Sequence, residues 1–253
     1  MSHHIVEADR LSYTYPDTMC GIKDISFRIT HGESVAVVGA NGAGKSTLLQ
    51  HLNGYLIPST GTVRIGDYPL TKKNLHTVRR SVGMVFQDPD DQLFMPTVFD
   101  DIAFGPLNLG LPVDEVSLKV VEALDRVGAR HLENRAPYKL SGGEKRSVAI
   151  ASVLVMSPDI LVMDEPSSNL DPMARKRLIA LLQSFEHTKI IATHDLDLAM
   201  DICERTIVLY DGHITADGPT MDIFQDTLLL EQSGLAQPLQ FQGCPVCGKH
   251  DND

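Results

Sequence analysis

"SVAVVGANGAGKSTLLQHLNG", residues 34–54, changes its periodicity halfway along. Residues 34–39 are apolar from Val35 on, a run that reads as a strand buried on both faces. From Lys45 the spacing turns helical, and Gly54 stands where a left-handed helix cap is expected. Between the two lies the pattern G-x-x-x-x-G-K-[ST], filled by Gly39, Ala40, Asn41, Gly42, Ala43, Gly44, Lys45 and Ser46, with Thr47 following. Glycines let the backbone curl so that several N–H groups point inward at phosphate oxygens. The helix N-terminus adds its partial positive charge. Lys45 is expected to bridge the β- and γ-phosphates of a nucleotide, Ser46 to ligate Mg²⁺, and Thr47 to bond an α-phosphate oxygen. A glycine-rich turn with a chance lysine leaves the flanking strand and helix unexplained.

Working outward, residues 5–37 read as short strands, with a turn signal at 31–32. "GTVRIGDYPL" looks like one further strand, and "SVGMVFQ" is a β-branched run ending at Gln87. Residues 97–157 are mostly helical in pattern, and "DEVSLKVVEALDRVG" is the clearest amphipathic helix. "DILVMDE", "KIIATHD" and "RTIVLYDG" repeat the short apolar strand style. Apolar strands alternating with helices imply an α/β fold with a mostly parallel sheet covered on both faces. A helical block of about residues 95–157 is inserted between its two halves. Periodicity is lost near residue 236, which divides the chain into a domain of residues 1–235 and a tail of 236–253.

The 253 residues carry 43% apolar and 22% charged side chains, as expected of a globular protein with a sizeable core. A net charge of −11 argues against a broad nucleic-acid-binding surface. No stretch approaches the roughly 18 to 20 apolar residues of a membrane span. No secretory signal opens the chain, so a cytoplasmic location is expected. His3 and His4, next to the start, read as incidental. Of four cysteines, Cys20 and Cys203 stand alone and are expected to be reduced.

"ILVMDEP" ends a buried strand on Asp164 and Glu165. Asp164 is placed to hold Mg²⁺, directly or through water. Glu165 is placed to polarise an attacking water. Carboxylates at the C-terminal end of a strand sit where open α/β sheets bind ligands. "LSGGE", residues 140–144, opens another helix, with Ser141 as its N-cap or as a phosphate donor. One nucleotide site does not need two phosphate-receiving helix starts, whereas two chains stacked head to tail do.

These motifs together resemble the ATP-binding cassette (ABC) ATPases over about residues 5–228. The order is Tyr15, "GANGAGKST", Gln87, "LSGGE", "ILVMDE", "SNLD" and His194. The resemblance implies a P-loop, RecA-like core with an N-terminal antiparallel β subdomain and an inserted helical subdomain. It implies ATP and Mg²⁺ as ligands, Glu165 as general base, and His194 as a contact to the γ-phosphate linked to that base. Gln87 would touch Mg²⁺ or the attacking water. Tyr15, chosen over Tyr13, would stack on adenine. Ser141, Gly142 and Gly143 would clamp ATP held by a second subunit, and Asp171 would help build that subunit's site. Glu144 stands where the family more often has glutamine. Its side chain is expected to point outward, leaving the loop unaffected.

"QDPDDQLF", then "TVFDDIAFGPLNLGLP", is similar to the ATPases of energy-coupling-factor transporters, nearest to those of cobalt and nickel importers. Gln92 would be the second glutamine of that group. The implied partners are a second ATPase copy or paralogue, a membrane coupling subunit and a substrate-capturing membrane subunit, at the cytoplasmic face of the cell membrane. Residues 88–101 hold five aspartates and no lysine or arginine. They are expected to face a basic helix of the coupling subunit, with Asp90 and Asp91 foremost; a solvated loop is the plainer reading. A soluble cassette ATPase and a regulator without turnover are the other functions considered. In the tail, Cys244, Cys247 and His250 offer half of a zinc-type site, or a plain reduced tail.

Overall fold

A computed structural model describes residues 6–242 of the chain. The tail cysteines, His250, His3 and His4 lie outside the described residues. Two sheets are stacked. The first is antiparallel, in the order β2-β1-β4-β5, from β1 (Val6–Thr14), β2 (Cys20–Ile29), β4 (Thr60–Ile65) and β5 (Tyr68–Pro69). "GTVRIGDYPL" is therefore a hairpin rather than one strand. Gly66 turns the chain at φ 57°, and Ile65 pairs with Tyr68 across the turn.

The second sheet has six strands in the order β10-β9-β3-β8-β7-β6. These are β3 (Ser34–Val38), β6 (Val82–Val85), β7 (Ile160–Asp164), β8 (Thr188–Thr193), β9 (Arg205–Tyr210) and β10 (His213–Pro219). All neighbours are parallel except β10, which returns antiparallel along β9. Strand alternation sorts the apolar residues between two cores. Val35, Val37, Ile160, Val162, Ile190, Ile207 and Leu209 face the antiparallel sheet, together with Leu48, Leu49 and Leu52 of helix α1 (Lys45–Leu52). Ala36, Val38, Leu161, Met163, Ile191 and Val208 face the opposite layer of helices. Both faces are dry, so the runs are continuously apolar, as the sequence shows.

After α2 (Leu75–Ser81) and β6, the chain leaves the sheet for α3 (Val98–Asn108), α4 (Val113–Arg126) and α5 (Gly142–Leu154). α3 is capped by the Thr97 side chain, and α5 by a reciprocal box between Ser141 and Glu144. The chain then returns through β7, α6 (Pro172–Gln183), β8, α7 (Leu196–Ile202), β9 and β10, and closes with α8 (Thr220–Gln225) and α9 (Thr227–Gln232). Beyond residue 235 the chain stays docked. The backbone N–H groups of Leu239 and Gln240 donate to the carboxylate of Asp197 on α7. No helix among the described residues is long and apolar enough to cross a membrane.

Candidate nucleotide site

The parallel register decides what meets at the sheet's carboxyl edge. Val38 is paired with Thr193, Asp164 with Ala192, and Val85 with Met163. The residues just beyond those strand ends are the loop from Gly39, then Glu165, His194 and Gln87. Three of these, distant in sequence, thus open onto one cleft of about 640 Å³, and the fourth, His194, is bonded to Glu165. Tyr15, Asn41 to Thr47, Gln87, Asp164 and Glu165 line it.

The loop is held by two glycines that nothing else can replace. A Cβ on Gly39 would stand 2.3 Å from the Leu209 carbonyl oxygen. Gly44 caps α1 at φ 102°, and a Cβ there would stand 2.6 Å from the Gly21 carbonyl oxygen. Lys45 is buried and folds back over the loop, its Nζ 2.8 Å from the Gly39 carbonyl oxygen and 3.3 Å from that of Ala40. The same ammonium lies 3.9 Å from Glu165 Oε1. The lysine thus waits beside the phosphate cradle with its charge already balanced. Thr47 Oγ1 lies 2.9 Å from the Tyr15 hydroxyl. Tyr13, by contrast, packs edge-on against His51 and Tyr15, over the core beneath α1. Tyr15 is the tyrosine on the cleft.

Glu165 is 5% exposed and has φ 47°, a strained position directly after β7. Its own N–H donates to the Ala192 carbonyl. Oε2 accepts from Thr193 Oγ1 at 3.2 Å, from the His194 backbone N–H at 3.3 Å, and lies 2.8 Å from His194 Nδ1. A carboxylate only accepts, so Nδ1 carries the proton and Nε2 is left free on a side chain that is 64% exposed. A buried carboxylate oriented by an imidazole that reaches into solvent can take a proton from a water and pass charge information outward.

Asp164 is the residue that asks for a cation. It is 3% exposed, and its Oδ1 has no hydrogen-bond partner. Burial pushes its carboxyl above the usual range; a bond from Ser46 pulls it down, Glu165 pushes it up, and Lys45 and Arg146 pull it down. An orphaned carboxylate oxygen beside the Ser46 hydroxyl and the Gln87 side chain is an all-oxygen donor set, which suits a hard divalent cation such as Mg²⁺.

Ser141, Gly142, Gly143, Glu144 and Asp171 do not join this cleft. They line a separate one of about 470 Å³, with Asn169 and Arg177. Asp171 caps α6, its Oδ1 accepting from Met173 N–H at 2.8 Å and Ala174 N–H at 2.9 Å. Glu144 does not point outward as expected. Its Oε2 accepts from the Ser141 N–H at 2.8 Å, which holds its carboxyl below the usual range, and Oε1 lies 3.9 Å from Arg135. The charge is turned back onto the loop because a free helix N-terminus is the nearest set of donors.

The aspartates after Gln87 are also spent differently from the expectation. Asp88 caps the short turn 89–91 through the Asp90 N–H. Asp90 binds Lys145 of α5, its two oxygens 2.6 and 2.8 Å from Nζ. Asp100 accepts from the Thr97 hydroxyl. Asp101 is buried and accepts from the Phe94 and Met95 N–H groups. Four of the five acids hold their own chain, and Asp91 remains exposed.

Sequence reasoning passed over Arg146. It is 2% exposed and donates to the carbonyls of Phe86 and Gln87. Its signal was present: an arginine four and seven residues before Ile150 and Val153, on the apolar stripe of "EKRSVAIASV".

Comparisons with known proteins agree with this geometry. The family model described as ABC transporter matches residues 22–168. A putative ABC transporter ATP-binding protein of Geobacter sulfurreducens is 66% identical, over 98% of this chain and 100% of its own length. The energy-coupling factor transporter ATP-binding protein EcfA of Methanocaldococcus jannaschii is 44% identical, over 98% of this chain and 91% of its own. Among solved structures, cbiO1 from Clostridium perfringens, part of the ABC transporter complex cbiONQ, superposes with a TM-score of 0.78 at 39% identity, covering 91% of this chain and 94% of that one.

Proposed function

The chain belongs to the ABC transporter family as an ATPase, and from that premise we propose that it energises uptake of a transition-metal ion, cobalt or nickel, through an energy-coupling-factor type importer. The observation that carries the catalytic part is the convergence of Lys45, Asp164 and Glu165 on one cleft, with Glu165 bonded to His194. The import reading draws on the likeness to EcfA and to cbiO1, and on the "QDPDDQLF" stretch.

In this reading the reaction is ATP plus water to ADP plus phosphate. The loop N–H groups and Lys45 bind the β- and γ-phosphates, and Lys45 exchanges its loop carbonyls for them. Tyr15 stacks on adenine. Ser46, Asp164 and Gln87 would hold Mg²⁺, which when bound neutralises phosphate charge as it develops. Glu165 accepts a proton from the attacking water. His194 holds that carboxylate through Nδ1, and its exposed Nε2, when it too carries a hydrogen, donates to a γ-phosphate oxygen. The signature residues Ser141, Gly142 and Gly143 lie in a different cleft from the phosphate loop of the same chain. A second copy or a paralogue, stacked head to tail, would bring them to the nucleotide, with Asp171 beside them.

The membrane partners would be a coupling subunit and a substrate-capturing subunit, at the cytoplasmic face. Near Gln87, Tyr55, Phe94 and Phe104 are exposed, Tyr55 edge-on to Phe86 and Phe94 edge-on to Phe104. Clustered aromatics on a surface suit a partner's apolar segment. With Asp88, Asp90, Asp100 and Asp101 engaged internally, this aromatic patch and Asp91 replace the acidic run as the proposed docking surface.

Glu165→Gln tests the core of the reading. It should keep ATP binding, abolish turnover, and accumulate an ATP-dependent dimer on gel filtration; wild-type turnover in that variant refutes Glu165 as the base. Uptake of radioactive Co²⁺ or Ni²⁺ by vesicles carrying the neighbouring membrane subunits tests the cargo. Uptake of a vitamin instead would keep the motor and change the substrate.

A further inference from the structure

The segment 86–92 leaves the core sheet from the edge strand β6, yet its side-chain bonds run to the signature helix α5. Arg146 Nη1 lies 2.7 Å from the Phe86 carbonyl oxygen, and Nη2 donates to that of Gln87. One residue earlier, Lys145 grips both oxygens of Asp90. At the far end Gln92 Nε2 donates to the Ala149 carbonyl at 2.8 Å and to Ser152 Oγ at 2.9 Å, while its Oε1 accepts from the Phe86 N–H at 3.2 Å. Three ties therefore fasten this segment to a helix whose first residues are Gly142 and Gly143.

Arg146 is costly to bury. Its Nε has no partner, and its environment is dry enough that burial opposes the charge, with Asp164, Asp88 and Glu165 acting the other way. A buried charge of this kind is weak evidence of stabilisation, while cutting its partners leaves it uncompensated. The guanidinium's flat fork can reach two successive carbonyls at once, which an ammonium cannot. Arg146 does not line the nucleotide cleft, whereas Gln87 does.

We propose that Arg146 is a positioning residue for Gln87: it locks the Gln87 backbone to α5, so that Gln87 and the signature loop at Ser141 to Gly143 move as one body. This rests on the reading of Gln87 as a nucleotide-site residue.

Steady-state ATPase assays of the full chain, with ATP and Mg²⁺ varied separately, test it. Arg146→Lys should lower kcat roughly tenfold or more, the scale of loss that a small misplacement causes. It should raise the Mg²⁺ needed for half-maximal turnover and leave KM for ATP within about twofold. In a Gln87→Ala background, adding Arg146→Lys should change kcat by less than about twofold, because the two act in series. Wild-type kcat in Arg146→Lys, or losses that multiply in the double variant, overturns the proposal. If Arg146→Lys does not fold, Gln92→Leu cuts the tie from the other end, and its kcat loss should likewise vanish in the Gln87→Ala background. Wild-type turnover in Gln87→Ala alone removes the premise, and is distinct from a multiplicative result, which spares Gln87 and removes only Arg146.

Discussion

His51 makes the chain's stability depend on pH in a direction the structure dictates. It sits in the last turn of α1, directly behind the phosphate loop, and is fully buried. Nδ1 lies 2.7 Å from the Thr47 carbonyl oxygen and must donate to it. Nε2 is then an acceptor, and no donor meets it. The Tyr13 ring stands edge-on, with centroids 4.9 Å apart. Protonation would place an N–H⁺ in this apolar space, so burial lowers the pKa from 6.5, the Thr47 bond opposing it. Because the folded pKa lies below the unfolded one, the stability is present above pH 6.5 and is lost as pH falls from there toward the folded value. Moving from about pH 7.5 to about pH 5.5 therefore removes at most about 1.4 kcal/mol, the limit for a folded imidazole that takes up no proton while the unfolded one does. His51→Leu keeps the volume and removes the titration. Urea melts of both proteins at the two pH values read the difference. Asp164, whose raised pKa acts in the opposite sense, is common to both. The variant's stability should fall less than the wild type's, by no more than that limit. Equal losses in the two proteins would refute the assignment of a neutral, unpartnered His51.

Two further substitutions probe the phosphate-binding turns. Glu144→Gln keeps the capping box and should leave stability within about 0.5 kcal/mol, while Glu144→Ala should cost about 1 kcal/mol by losing the bond from the Ser141 N–H. By removing a negative charge from the signature loop, Glu144→Gln should also strengthen ATP-driven dimerisation in a Glu165→Gln background at low salt, an effect that fades as salt screens it; weaker dimerisation at low salt would contradict this electrostatic account. Gly39→Ala drives a methyl to 2.3 Å from the Leu209 carbonyl oxygen, so the loop must move and nucleotide affinity should drop at least about tenfold. Titration with a fluorescent ATP analogue checks it, and unchanged affinity would show that the loop tolerates displacement.

The sequence by itself determined the local chemistry. Residues 34–54 carry the whole strand–loop–helix unit in one contiguous stretch, because glycine's backbone freedom, the apolar run and the helical spacing are all short-range properties. "ILVMDE" likewise announces a buried strand ending in two acids. The direction of side chains in charged loops was decided only by tertiary structure. The aspartates of 88–101 look like a surface run because the partners of the four engaged ones are backbone N–H groups for Asp88 and Asp101, the nearby Thr97 hydroxyl for Asp100 and, for Asp90, a lysine 55 residues away. Glu144 looks outward-facing until the helix N-terminus it caps is in place. Arg146 stands on the apolar stripe of its helix, but its partners appear only when the fold sets α5 against Phe86 and Gln87, 60 and 59 residues back. Even the joining of Asp164, Glu165 and His194 with the phosphate loop belongs to tertiary structure. Motifs name the groups, but the parallel register of β3, β8 and β7 brings them to one edge. Hydrogen-bond pairing between distant strands and the desolvation of buried charge depend on neighbours that no local window of sequence contains.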